Sequence, residues 1–250
     1  MRNDPVPFQS FAPIVIVGLC VLILEGVMRL SLVSPLIVAA PSQVVGSFPL
    51  LWDEHIGLRF LQTFAETLLA TTLAMTIGGP IGWLLARNAK LDLAFRGWVA
   101  VASSAPLILM YPLFLVAFGR NMGTVVAIGA VSALAPIILK TRDGLTEVKT
   151  VLIEVGRSYG LSEQKLFRMI MLPAAAPSII NGLRLAIIFA LANVVAVEFI
   201  INYGGIGYLV GEMADRYEIP GMYGAILAVI TVSTLFYYVT ERIERCLRPF

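Results

Sequence analysis

The sequence predicts an all-α polytopic membrane protein with six transmembrane helices. Three observations carry that prediction. Of the 250 residues, 58% are hydrophobic and only 14% are charged, with a mean hydropathy of +0.87, whereas a soluble domain carries about 25% charged residues. Six apolar stretches approach or exceed the roughly 20 residues that a helix needs to cross the hydrocarbon core. The lysines and arginines gather in alternate connections between those stretches, the asymmetry that orients a chain in a bilayer.

Residues 11–30 form the first span. Arg2 before it also fits the charged start of a signal peptide, but the apolar run is long and no small-x-small cleavage site follows directly. Glu25 lies near its far end, within reach of interfacial water. Residues 31–58 are mixed, and SQVVGSFPLLW within them reads as a short amphipathic helix on the outer surface. The second span covers 60–86, with Glu66 near its entry. Gly78 and Gly82, four apart, permit close helix contact, although tolerance of glycine beside Pro80 explains them equally well. The third span covers 97–118, kinked by Pro106 and Pro112. The fourth covers 123–139 and ends at Pro136. The fifth covers 179–201, and the sixth covers 222–241 before a basic tail of Arg242, Arg245 and Arg248. The chain divides into a leading unit, 1–58, and a core, 59–245.

Between the fourth and fifth spans lies the longest polar interruption, residues 140–177. Here Asp143, Glu147, Glu154 and Glu163 accompany Lys140, Arg142, Lys149, Arg157, Lys165 and Arg168. Leu145, Val148, Leu152, Val155 and Tyr159 recur at helical spacing. Gly160 then stands where a helix stops. Ser162 caps a second helix through Met171, and Pro173 and Pro177 close the segment. Placing this loop inside also places Arg2, Arg87, Lys90, Arg96 and the basic tail inside. Only Arg29, Arg59, Arg120 and Arg216 of the 18 basic residues then lie clearly outside, with both termini cytoplasmic.

The spacing of this loop resembles the cytoplasmic coupling loop of ABC-importer permeases: E-A-A, three residues, G, nine residues, I, one residue, L-P. Glu154, Gly160, Ile170, Leu172 and Pro173 fall on its fixed positions, while Val155 and Gly156 replace the two alanines. The resemblance extends over roughly residues 60–245 and is to the branch that imports nitrate, sulfonates, taurine and similar solutes. It implies a type I importer (MetI-like) permease fold in the inner membrane, surrounded by lipid. It further implies a homodimer, two copies of an ATPase subunit and a periplasmic or lipoprotein solute-binding protein. The helix from Ser162 to Met171 would dock in an ATPase groove, with Leu161, Phe167 and Ile170 as apolar anchors and Glu163, Lys165 and Arg168 as a charged rim. Glu154 and Gly160 would orient it, and Leu172 and Pro173 would turn the chain back into the membrane. Thiamine precursors, riboflavin or aromatic acids are the alternative cargo.

The remaining residues argue against catalysis. No G-x-x-x-x-G-K-[ST] loop occurs, so ATP would bind in another chain. The lone His55 builds no metal site, and no cofactor is expected. A net charge of +2 is too small to imply nucleic acid. Cys20 and Cys246 belong to different compartments, so no disulfide is expected. Gly204, Gly205 and Gly207 lack dinucleotide spacing and instead open an interfacial helix, Ile206–Ala214. Glu198 is an ionisable residue within a span, the default functional candidate, although a satisfied interhelical contact explains it as well. Asn193, Ser103 and Ser104 complete the pathway candidates. A six-span enzyme would need clustered acids or histidines, and a secondary transporter working alone would usually carry repeated halves; neither feature is present.

A membrane-impermeant maleimide added from outside should label Asp215→Cys and spare Glu163→Cys until the membrane is opened. Labelling of Glu163→Cys in sealed vesicles of known sidedness would invert the assigned topology.

Overall fold

The computed structural model describes the backbone from residue 7 to 247, with side chains at 15–239, 241 and 242. Arg2 and Arg248 lie outside the described residues, and the side chains of Arg245 and Cys246 outside the described side chains. Every described element is helical. The chain runs through α1 (Pro7–Arg29), α2 (Pro41–Gly46), α3 (Phe48–Asp53), α4 (Ile56–Arg87) and α5 (Ala89–Ser104). After a 3-10 turn (Leu107–Met110) come α6 (Tyr111–Phe118), α7 (Met122–Thr146), α8 (Thr150–Ser158) and α9 (Glu163–Leu166). A π turn (Phe167–Met171) then leads into α10 (Leu172–Ile201), followed by α11 (Gly205–Asp215) and α12 (Ile219–Leu247).

Among the described residues four helices are long and apolar enough to cross a membrane: 56–87, 122–146, 163–201 and 219–239. A fifth is added if α5 and the 3-10/α6 pair, bent by 88°, count as one span. The expected first span coincides with α1, whose side chains from Val15 to Leu24 are exposed. α1 is tied to α2 by Glu25, whose carboxylate accepts from Ser42 N–H at 3.0 Å and Ser42 Oγ at 2.8 Å.

Proline misled three sequence boundaries. The third span is not one kinked helix over 97–118. Asn88 Oδ1 accepts from the amides of Lys90 and Leu91, at 3.0 and 3.3 Å, and so starts α5 at Ala89. Ala105, before Pro106, is extended (ψ 136°) and breaks the helix. Pro112 sits in the first turn of α6, where its missing N–H costs nothing. Pro136 does not end the fourth span, because α7 continues through it to Thr146. Pro173 and Pro177 do not close the polar segment either. Pro173 lies in the first turn of α10 and Pro177 within it. The π turn, where Leu172 N–H reaches back to the Phe167 carbonyl, carries one helix without a loop from Glu163 to Ile201.

The core is a seam of small side chains. α7 lies between α4 and α10 through Ala70, Ala74, Ala130, Ala133, Ala186 and Ala190, with Ile137 filling the seam. Glycines bring the backbones closer still. A Cβ on Gly82 would lie 2.6 Å from the Ile138 carbonyl, and one on Gly182 would lie 2.6 Å from Lys140 Cβ. The close contact expected for Gly78 and Gly82 is therefore made on α7. The surface helix expected over 42–52 is two helices, α2 and α3. Trp52 and Val45 are exposed, but Leu51 is fully buried against Leu209, Met213 and Ala225 of α11 and α12.

Gly82→Leu should lower the melting temperature in detergent by roughly 5 °C, because overpacking costs about 1–3 kcal/mol and the obstacle is backbone. Gly97→Leu, which meets nothing within 4 Å, should leave it unchanged. Equal melting of the two variants would show that the α4–α7 seam is not tightly packed.

Candidate coupling elbow and buried carboxyl cluster

α7 leaves the bundle at Thr146, and α8 and α9 form an elbow before the chain returns as α10. α8 ends in a Schellman cap: Leu161 N–H bonds the Gly156 carbonyl at 3.2 Å, and Gly160 N–H bonds the Arg157 carbonyl at 2.9 Å. The cap requires the left-handed conformation at Gly160 (φ +71°), and a Cβ added there would point into open space. Ser162 takes the N-cap position of α9, but its hydroxyl makes no capping hydrogen bond.

The inside of the elbow is organised by Gly156, a position the sequence registers only as a departure from the second alanine of the motif. A Cβ there would lie 2.5 Å from Ile170 Cδ1, 2.6 Å from Leu166 Cδ1 and 3.5 Å from Leu161 Cδ1. Leu166 is buried. Phe167 meets Trp83 of α4 edge-on, with ring centroids 6.1 Å apart. Leu161, Phe167 and Ile170, expected as anchors for a partner, therefore turn largely inward and hold the elbow to itself and to α4. Helical periodicity identifies an apolar stripe but not the side on which its partner lies. The large apolar residues left outside are Val151, Leu152 and Val155 of α8 and Tyr159 at its C-cap, together with Met169 and Leu172. Tyr159 is 83% exposed. Glu154, Ser162, Glu163, Lys165, Arg168 and Pro173 are exposed too, and Arg157 pairs with Glu163 at 3.4 Å.

The roots of the elbow are fastened by side chains that the sequence did not single out. The Arg142 guanidinium forks onto both Asp92 oxygens, at 2.7 and 2.5 Å, and reaches Asp143 at 2.9 Å, which ties α5 to α7. Ser178 Oγ donates to the Lys140 carbonyl at 2.9 Å, which ties α10 to α7.

At the opposite end of α10, Glu198 is fully buried. Thr63 Oγ1 donates to its carboxylate at 2.8 and 3.0 Å, and Gly207 N–H donates at 2.8 Å. Ile206 N–H donates to Thr63 Oγ1 at 2.8 Å. The first turn of α11 is thus bound by side chains from α4 and α10, which satisfies amides that a helix start leaves open. A Cβ on Gly205 would fall on the carboxylate itself. Glu66, also fully buried, accepts from Gln62 Nε2 at 3.0 Å. Outside this cluster, Arg59, Glu54, Glu212 and Arg216 form an ion-pair network at 2.5–3.6 Å. The flanking carboxylates hold Arg216 charged above its ordinary range.

The other pathway candidates are not gathered with Glu198. Asn193 Nδ2 donates to the Phe189 carbonyl at 2.9 Å on its own helix. Ser103 and Ser104 bond the Ala100 carbonyl, at 2.7 and 3.4 Å, just before the break in the third span. Among the described residues no group of three or more His, Cys, Asp or Glu side chains could hold a metal.

Residues 78–249, including the elbow and both its roots, match the family described as the binding-protein-dependent transport system inner membrane component. The chain belongs to that family. It is a membrane permease subunit of an ABC importer, and the ATPase is a separate chain. The permease is 23% identical over 216 residues, 86% of each chain, to the formylaminopyrimidine transport permease ThiX of Halalkalibacterium halodurans. It is 27% identical over 201 residues, 78% of this chain and 85% of the other, to the glycine betaine/carnitine/choline permease OpuCD of Bacillus subtilis. It is 29% identical over 188 residues, 74% of this chain and 64% of the other, to the bicarbonate permease CmpB of Synechococcus elongatus. In fold it is similar to a chain of the inward-facing MetNI methionine ABC transporter, with a TM-score of 0.70 and 23% identity over 80% of this chain and 99% of that one.

Gly156→Leu should pry the elbow open at a cost of about 1–3 kcal/mol, so that amides 163–170 of the permease exchange hydrogen roughly 10- to 100-fold faster. Gly156→Ala needs only a small shift of two flexible side-chain ends and should change exchange little. Unchanged protection in Gly156→Leu would contradict the packing described.

Proposed function

We propose that the permease pairs with a second copy of itself to enclose the pathway of an importer for a small solute such as nitrate, a sulfonate or taurine. Its 140–177 end faces the cytoplasm, and each copy receives one ATPase subunit there. The observation that carries this reading is the elbow. Its inner face is packed against α4 and its roots are fastened to α5 and α10, while an apolar face formed by α8 and its C-cap (Val151, Leu152, Val155, Tyr159) lies open beside Met169 and a charged rim. A rigid element with an uncovered apolar face suits the transmission of an ATP-driven push. The docking surface is therefore the outer side of the elbow, and Leu161, Phe167 and Ile170 support it from within.

Glu198 serves as the anchor of α11 rather than as a solute contact, since its oxygens are already engaged and a carboxylate would oppose an anionic solute. Asn193 and the Ser103–Ser104 pair are the proposed pathway contacts. A second cargo, a thiamine precursor, is favoured by the ThiX relative, which the permease matches over 86% of both chains. Ligand binding to the cognate soluble receptor decides between them.

Two measurements test the assembly and the coupling. The mass of the detergent-solubilised complex should correspond to two permease and two ATPase copies; one permease per two ATPases would reject the homodimer. Gly160→Val should uncouple ATP hydrolysis from transport, because a left-handed β-branched residue costs about 1–2 kcal/mol or more. Gly160→Asn, which tolerates that conformation, should stay near normal. The site is open, so neither variant clashes. Normal transport per ATP by reconstituted Gly160→Val would remove the elbow from the coupling path.

A further inference from the structure

A cleft opens between the last turns of α4 and the π turn, in two halves that share Trp83, Leu145 and Phe167 as walls. One half, of about 380 Å³, is apolar and lies toward the bundle, against Met75, Gly79, Pro80 and Ile179. The other, of about 490 Å³, opens at the end of the bundle, between Arg87 and Arg168. These sizes fall in the range of small-molecule sites, roughly 300–1,000 Å³.

The cleft is chemically divided along its length. Among the described residues neither Arg87 nor Arg168 has a carboxylate within ion-pair distance. Arg87 lies over the Trp83 ring, 5.5 Å from its centroid, and so is held at the mouth. The acid that lines the mouth, Glu163, pairs with Arg157 instead. In the apolar half Thr141 is 5% exposed, and its hydroxyl has no hydrogen-bond partner.

We propose that this cleft binds an anionic phospholipid. One acyl chain lies along the apolar half, and the phosphate sits between Arg87 and Arg168. Trp83 marks the interface, where tryptophan is enriched. Basic clefts between membrane helices at the cytoplasmic face select anionic headgroups, and arginine suits phosphate because its planar fork gives paired hydrogen bonds. Phosphate alone would leave the apolar half unfilled, and a wholly apolar partner would leave two cations without counter-charge. The assignment rests on the proposed orientation only in naming the cytoplasmic leaflet. Because Trp83 and Phe167 form the wall, a bound lipid also braces the joint between α4 and the elbow.

The test uses the complete permease–ATPase complex with Trp52→Phe and Trp98→Phe in the permease and the tryptophans of the ATPase replaced, leaving Trp83 as reporter. Trp52 and Trp98 are each 75% exposed, so their loss leaves the core intact. The complex is reconstituted in phosphatidylcholine with increasing brominated-chain phosphatidylglycerol in both leaflets, and in parallel with brominated-chain phosphatidylcholine. Phosphatidylglycerol should quench Trp83 at a far lower mole fraction, by roughly fivefold for each arginine. Arg87→Gln with Arg168→Gln should erase that preference, and Arg87→Lys should retain most of it. Equal quenching by the two lipids overturns the proposal. Absence of quenching by either overturns it as well, by showing the cleft covered by the second copy or the ATPase. Relief of quenching by millimolar inorganic phosphate would make it a phosphate site instead. Loading both leaflets separates this from topology: an inverted protein keeps its lipid preference but exposes Glu163→Cys to outside label.

Discussion

The fold depends on how closely α7 approaches α4 and α10. In hydrocarbon no hydrophobic drive pulls apolar helices together, so association relies on van der Waals contact and hydrogen bonds. This chain meets that constraint with alanines along the seam and with glycines at its tightest points. Everything that distinguishes the permease is attached to this three-helix slab. α5 is fastened to α7 by Arg142 and Asp92, the elbow leaves from the end of α7 and returns as α10, and α11 is pinned between α4 and α10 by Thr63 and Glu198. A Cβ added at Gly82 or Gly182 would shift the base on which the elbow stands.

Much of this was legible in the sequence. Composition and the lengths of the apolar runs give an all-α membrane protein, and the spacing from Glu154 to Pro173 identifies the family. Gly160 could be read as a helix stop because left-handed backbone after a helix has few alternatives to glycine. Other features were not legible, for identifiable reasons. Proline was read as a terminator at Pro136, Pro173 and Pro177. In a packed membrane helix a proline costs one hydrogen bond, and neighbouring helices and a π turn can absorb that loss. The inward direction of Leu161 and Ile170 could not be found because their neighbour, Gly156, has no side chain to signal a contact. Asp92 carries no local signal in the sequence, since its partner Arg142 lies 50 positions away.

Glu198 shows how one residue can satisfy two readings. A buried acid within a span is a functional candidate by default, and here every group around it has a structural task. One amide of α11, one hydroxyl of α4 and a glycine without a Cβ converge on its carboxylate, and a second α11 amide bonds that same hydroxyl. The glycines at 204, 205 and 207, which suggest a nucleotide loop at first sight, are present because a Cβ would run into Gln62 at 204, the Glu198 carboxylate at 205 and the Val195 carbonyl at 207. Close packing of the α11 start against α4 and α10 explains all three glycines, and the acid accounts directly for Gly205.

The continuity of α9, the π turn and α10 has a mechanical consequence. The 39 residues from Glu163 to Ile201 make a rod about 58 Å long at about 1.5 Å per residue, with no loop to absorb a displacement. One end carries the Phe167 ring against Trp83, and the other holds the first turn of α11 through Glu198. Pivoting such a rod by about 5° at its centre would move each tip roughly 2.5 Å in opposite directions, comparable to the length of one hydrogen bond. The two faces of the membrane are therefore linked in this subunit by a first-class lever, with the small-residue seam of α7 as its fulcrum.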